Sequence, residues 1–318
     1  MEVDVTTLLQ QIANGIALGA TIGLIALGYT MVYGIIQLIN FAHGEVFMVG
    51  AFGGLAVHRW ILPEGFRENW YVSLPLMLLG GMAVAVAIAL VMERFAYRPL
   101  RNAPRLAPLI TALGVSIVLQ EAIRIWFPNA DSAQPFPKAF LESRITIVGL
   151  GADGPDGDVS IRASQLLLVV VSIILSVLLQ TYINRSKMGR AMRATAQDPD
   201  TARLMGVNPD RVIVLTFVLG AALAGVAGVL YGVDITSVDN AIGFQNGIFA
   251  FTAAVLGGIG SLRGAVIGAF VIGLIKTLGG QYMPGGTDYD YVWIFVVLIL
   301  VLVFRPQGLF GEAERVRA

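Results

Sequence analysis

Long runs without charge govern what this chain can become. Leu8 to Tyr33, Val72 to Met92, Leu166 to Ile183, Val212 to Val233 and Tyr291 to Phe304 carry no charged residue, and Leu106 to Phe127 carries only Glu121 and Arg124. About 20 apolar residues in a helix cross a hydrocarbon core roughly 30 Å thick, and lipid offers the backbone no partner outside such a helix. Only 13% of the 318 residues are charged, about half the usual share in a soluble domain. The expected fold class is all-α: a polytopic transmembrane helical bundle of about eight to nine spans with broken or re-entrant helices, forming one transmembrane domain over residues 1–318.

Two further regions are apolar but interrupted. In Ile35 to Val57 the polar run Asn40, His43, Glu45 precedes an apolar stretch too short to cross alone; Gly247 to Gly280 is cut by GGIGSLRG. Basic loops orient the chain. Loop 93–107 holds Arg94, Arg98, Arg101 and Arg105 against Glu93, and loop 184–211 holds Arg185, Lys187, Arg190, Arg193, Arg203 and Arg211, so both are expected in the cytoplasm. Segment 127–163, with Asp131, Glu142, Asp153, Asp156 and Asp158, is expected to be an ordered external loop. The tail, with Arg305, Arg315 and Arg317, falls inside if Gly247 to Gly280 is a hairpin turning near Arg263. The amino terminus then lies outside. MEVDVTT lacks the basic start of a cleavable signal, so the first apolar segment is expected to stay.

Several function classes drop out. Net charge is zero, so no global basic field draws nucleic acid. Cysteine is absent and the histidines are His43 and His58, which rules out thiolate chemistry and a zinc-type ligand set. No HExxH, GxSxG or carboxylate pair offers an acid, base or nucleophile set for a lipid-acting enzyme.

A charge at bilayer centre costs about 2.5 to 3.5 kcal/mol on insertion scales, so NFAHGE at membrane depth implies a protein-lined or wet setting. Asn40, His43 and Glu45 are the candidate substrate-path residues. Glu45 would sit in the first turn of a half-helix, where a negative charge suits the dipole. Broken helices can aim amide ends at a carboxylate and carbonyls at a cation, which fits a zwitterion. Hydrogen bonding of Asn40 and His43 to neighbouring helices, near the path, outweighs direct solute contact. Gly15, Gly19 and Gly23, and likewise Gly264 and Gly268, recur every four residues and read as close-packing faces. Glu121 and Arg124 are placed to pair, and Lys276 to snorkel outward.

The second candidate is the cytoplasmic segment SKMGRAMRATAQDPDTARLMGVNPDRV. Ser186, Asp198 before Pro199, and Asn208 before Pro209 are each placed to cap a helix, and Gly206 to end one. Leu204 and Met205 would waste apolar surface on water unless a partner covers them. Asp200, Thr201, Ala202, Arg203, Leu204, Met205 and Gly206 are the candidate residues for docking a cytoplasmic protein partner. A basic amphipathic loop lying on anionic lipid fits this segment equally well.

From GYTMVYGIIQLINFAHGEVFMVGAF through ERFAYRPLR, SKMGRAMRA, GVNPDRVIVLTFVLGAALAGVAGVL and AFTAAVLGGIGSLRGAVIGA, the chain resembles the LivH-type permease of branched-chain amino acid ABC importers. Asp200, Thr201 and Ala202, with Gly206 beyond, resemble the Glu-Ala-Ala and later Gly pattern of ABC-importer permease loops, which implies that the partner docking on Asp200 to Gly206 is an ATPase. The resemblance implies a second related permease, two cytoplasmic ATPase subunits that use ATP and magnesium, and a periplasmic amino-acid-binding protein, in a bacterial inner membrane. It implies no cofactor on this chain, which indeed lacks a GxxxxGK[ST] phosphate loop. Segment 127–163 and the tail lie outside the matching motifs. Related permeases carry urea, amides or other amino acids; an ion-coupled secondary transporter is a further reading, weakened because Glu45 is the sole membrane-centre carboxylate on offer.

Overall fold

Each long apolar run is a helix in the computed structural model, which describes residues 5–38, 40–101, 103–104, 106–137, 143–149 and 158–311. The helices are α1 (Val5–Ile36), α2 (His43–Ala56), the short α3 (Glu64–Arg67), α4 (Trp70–Met92), α5 (Leu106–Trp126), α6 (Ala163–Arg185), α7 (Lys187–Gln197), α8 (Pro199–Leu204), α9 (Pro209–Ile235), α10 (Ile242–Gly257), α11 (Leu262–Tyr282) and α12 (Asp290–Phe304). A π-helical turn carries α2 on to Ile61. Among the described residues, seven helices are long and apolar enough to cross a membrane. With the shorter α2 and α10 at the same depth, they make the polytopic bundle read from the sequence. Helices overrun their apolar stretches because polar caps sit beyond the lipid: Asn69 starts α4 and Asn208 starts α9.

Hydropathy does not decide which spans are central. The most apolar stretch of α1 is 89% buried, while those of the more hydrophobic α6 and α12 are 17% and 11% buried. Apolar side chains on α6 and α12 therefore face the rim, where lipid accepts them as readily as a protein core does. The centre is held by close backbone contact. A Cβ added to Gly19 would stand 2.8 Å from the Cα of Phe270, and one on Gly15 would stand 2.7 Å from Thr277 Oγ1, so α1 and α11 pack backbone to backbone. Gly264 and Gly268 face Gly257 and Ala253 of α10 in the same way.

The α10–α11 pair is the expected hairpin. Gly258 (φ +104°) and Gly260 (φ +94°) make the turn, a backbone region side chains resist. Ser261 caps α11 by accepting from the Gly264 amide at 3.2 Å, and Arg263 lies in the first turn. Leu309 and Phe310 donate backbone hydrogen bonds of 2.9 Å to the carbonyls of Leu256 and Gly257, satisfying the end of α10.

Two segments differ from their sequence reading. The first half of loop 93–107 is helical: a π turn over Glu93–Tyr97 and a 3-10 turn over Arg98–Leu100 prolong α4. Nothing before Pro99 breaks the helix, and Tyr97 is buried against Phe217 with ring centroids 5.3 Å apart. Segment 127–163 contributes strands. β1 (Gln134–Pro135) pairs antiparallel with β4 (Ser237–Val238), and β2 (Arg144–Gly149) pairs antiparallel with β3 (Asp158–Arg162) through a bulge at Thr146/Val148. Glu121 and Arg124 pair at 2.6 Å. Lys276 does not reach outward alone, because its Nζ lies 4.3 Å from the Phe249 ring centroid. Glu2, Asp4, Arg105, Glu142, Asp153, Asp156, Arg315 and Arg317 lie outside the described residues.

Gly19→Leu should lower the unfolding midpoint in detergent, with an overpacking cost of about 1–3 kcal/mol. Gly114→Leu, where nothing lies within 4 Å of the added Cβ, should leave the midpoint unchanged. Equal midpoints for both variants would contradict the packing assigned to α1 and α11.

Candidate functional site

The polar break forms where α1 stops at Ile36 and Gln37 turns at φ +55°. The chain then rises back among the helices before α2 begins at His43. The His43 ring fills the space opposite Gly28 of α1 and Gly220 of α9; a Cβ on Gly220 would stand 3.4 Å from it. At 1.5 Å per residue, Gly28 is about 12 Å inside the end of α1, so α2 starts at membrane depth. Glu45 lies in its first turn, as the half-helix reading requires.

Each of the three polar side chains is directed to a neighbouring helix. Asn40 Oδ1 accepts from the Tyr97 hydroxyl at 2.5 Å. Glu45 Oε1 accepts from Ser116 Oγ at 3.0 Å and Gln120 Nε2 at 2.7 Å, both on α5. His43 meets Tyr29 edge-on, ring centroids 5.0 Å apart. Glu45 Oε2 and His43 Nε2 are buried without a hydrogen-bond partner among the described residues. All three residues are at most 3% exposed within the chain. Sequence reading missed Tyr29, Tyr97, Ser116 and Gln120 as partners. The signal present was the spacing of Ser116 and Gln120, one turn apart on a single face of an otherwise apolar span.

The second candidate segment is rigidly capped. Ser186 Oγ accepts from the Gly189 amide at 2.8 Å; Asp198 accepts from the amides of Asp200 and Thr201 at 3.0 and 3.2 Å; Asn208 accepts from the Arg211 amide at 3.2 Å. Gly206, at φ +82°, ends α8. Ala202 faces inward and its carbonyl accepts from the Val207 amide at 3.0 Å. Asp200 and Arg203 pair at 2.9 Å on the exposed side. Leu204 and Met205 are 87% and 80% exposed, an apolar tip on a polar segment. α7 buries Met192 and Thr195 against the bundle.

An ion group absent from the sequence reading ties this segment to α4. Arg101 bridges Glu93 and Asp210, and Arg98 lies 3.6 Å from Asp210. Asp210 is in the first turn of α9, just past the exposed tip. The surplus of arginine over Glu93 in loop 93–107 was the available hint.

Residues 11–302 match the family described as branched-chain amino acid transport system / permease component. The chain belongs to this permease family. Among its relatives, the high-affinity branched-chain amino acid transport system permease protein LivH of Salmonella typhimurium is 44% identical over 306 residues, covering 96% of each chain. BraD of Pseudomonas aeruginosa, of the same description, is 43% identical over 312 residues, again 96% of each. LivM of Escherichia coli is 28% identical over 302 residues, covering 90% of this chain and 67% of that protein. The permease is therefore a multi-pass inner-membrane subunit of an ABC transport system, and ATP hydrolysis belongs to partner subunits.

Arg101→Ala should strand Glu93, whose side chain is 3% exposed, and cost the permease about 3–5 kcal/mol of stability. Arg203→Ala, on an exposed pair, should leave stability unaltered. Thermal unfolding in detergent reads both; indifference to the loss of Arg101 would show that the ion group does not hold segment 184–211 to the extension of α4.

Proposed function

We propose that the chain forms, with a second related permease subunit, the translocation pathway of an importer for leucine, isoleucine and valine. Two cytoplasmic ATPase subunits drive it and a periplasmic amino-acid-binding protein loads it. The observation that carries the substrate class is the 44% identity to a LivH protein across 96% of both chains. The arginine-rich end, with α7, α8 and the extension of α4, faces the cytoplasm, and the strand ribbons face outward. The amino terminus is then outside and the carboxyl terminus inside. Residues 1–318 act as one domain.

Asp200 to Gly206 is the coupling tip. Its support is mechanical: three side-chain caps fix the shape, and Leu204 and Met205 stand clear of the bundle. Closure of the ATPases on bound nucleotide presses this tip. Asp210 passes the displacement to α9 directly and to α4 through Arg101. α2 packs on both α4 and α9, so the two moving helices meet at the polar break. Asn40, His43 and Glu45 act there as the joint beside the path, joining α2 to α4 and α5 by the bonds to Tyr97, Ser116 and Gln120. Their burial favours this positioning role over contact with the solute.

The test is ATP-dependent uptake of labelled leucine into liposomes holding the permease with its second permease, ATPases and binding protein, against urea and polar amino acids. Leucine should enter only with every component present. Leu204→Glu and Met205→Glu together should lower uptake at least tenfold while the permease still inserts and binds its second permease. Uptake by this chain alone under an ion gradient would overturn the proposal, and preference for urea or amides would overturn its substrate class.

Replacing the joint tests the other candidate site. Glu45→Ala leaves the Ser116 and Gln120 donors buried without an acceptor, a loss of about 1–3 kcal/mol for each. It should lower the unfolding midpoint as well as uptake. Lost uptake with an unchanged midpoint and a weaker apparent affinity for leucine would instead assign Glu45 to solute contact.

A further inference from the structure

Between α1, α6 and α11 the rim is cleft by a groove of about 300 Å³. Its floor is bare because α1 presents Gly19, Ala20 and Gly23 there. Ile173 and Val177 of α6 form one lip and Ile267 of α11 the other, all exposed, and Phe270 closes one end. Arg263 stands at the other end, exposed, with no hydrogen bond or ion pair among the described residues. It lies in the first turn of α11, where the helix dipole adds to its charge.

We propose that this groove is a binding site for an anionic phospholipid, with one acyl chain lying on the Gly19–Gly23 floor and the phosphate held by Arg263. On the orientation proposed above, the site belongs to the inner leaflet. Depth fits the ligand. From Arg263 to Phe270 the helix rises about 10 Å, which reaches from the headgroup boundary most of the way through one leaflet of a core roughly 30 Å thick. The bare floor between the exposed lips of α6 and α11 offers a flexible polymethylene chain an apolar bed along its length. Charge complementarity selects the headgroup: a lone guanidinium at the interface attracts a lipid with net negative charge, and a zwitterionic headgroup meets it with its own ammonium.

The test uses the complete transporter complex, extracted in mild detergent, incubated with phosphatidylglycerol or phosphatidylcholine and weighed by native mass spectrometry. Phosphatidylglycerol should be retained about tenfold over phosphatidylcholine. Arg263→Gln should remove that preference and Arg263→Lys keep most of it; Val177→Trp, on an exposed lip, should reduce retention of both lipids. Equal retention of the two lipids by the unaltered complex overturns the proposal, as does retention that neither Arg263→Gln nor Val177→Trp changes. An Ile173→Cys variant that crosslinks to the second permease in the complex also overturns it, because the groove is then a protein interface. Retention in detergent does not depend on leaflet. Labelling of Leu204→Cys in right-side-out vesicles reports separately on orientation, so failure of the one reading is distinguishable from failure of the other.

Discussion

A peptide group in hydrocarbon has no water to bond, and that constraint shapes every element of this permease. It makes the long segments helical from cap to cap and leaves strands only in the ribbons beyond the spans. It also explains why Asn40, in the departure between Ile36 and His43, is buried and bonded to Tyr97 on the extension of α4. Where the helical ladder lapses the backbone bonds locally, Gln37 N–H to the Tyr33 carbonyl and His43 N–H to the Asn40 carbonyl, and side chains of other helices hold the polar residues. Tyr97 reaches Asn40, and Ser116 and Gln120 reach Glu45. A break of this kind survives only inside protein, so its burial is a condition of its existence.

Rigid and yielding parts are divided accordingly. The α1–α11 contact brings the two backbones close at Gly15 and Gly19, with little room for side chains to reorient. The coupling segment is equally stiff, but by other means: polar caps at Ser186, Asp198 and Asn208 hold it where no lipid compels a helix. Between them lies the ion group of Glu93, Arg98, Arg101 and Asp210, whose partners sit on different helices and shift together when either helix shifts. On the proposed coupling role, force entering at the exposed tip would pass through stiff pieces to a joint built of hydrogen bonds.

The spans were legible because the bilayer imposes one length and one composition on them. α1, α4, α5, α6, α9 and α12 begin and end within a few residues of the apolar runs. Caps were legible too, since Ser, Asp and Asn before a helix have one common use. The partners at the break were not, because Tyr97 and Gln120 are remote from Asn40 and Glu45 in sequence and no local pattern announces such a pairing. The extension of α4 past Met92 was hidden by its arginines, which read as loop while continuing a helix. The β2–β3 ribbon was hidden by brevity: a few alternating residues among many turn formers give strand period too little length to register.

α5 is among the less buried spans, its apolar stretch 22% buried, and its polar tie to α2 is the pair of hydrogen bonds to Glu45. A carboxylate on a short neighbouring helix therefore helps to set where a whole span sits in the bilayer, and replacing it acts on a helix rather than on one contact.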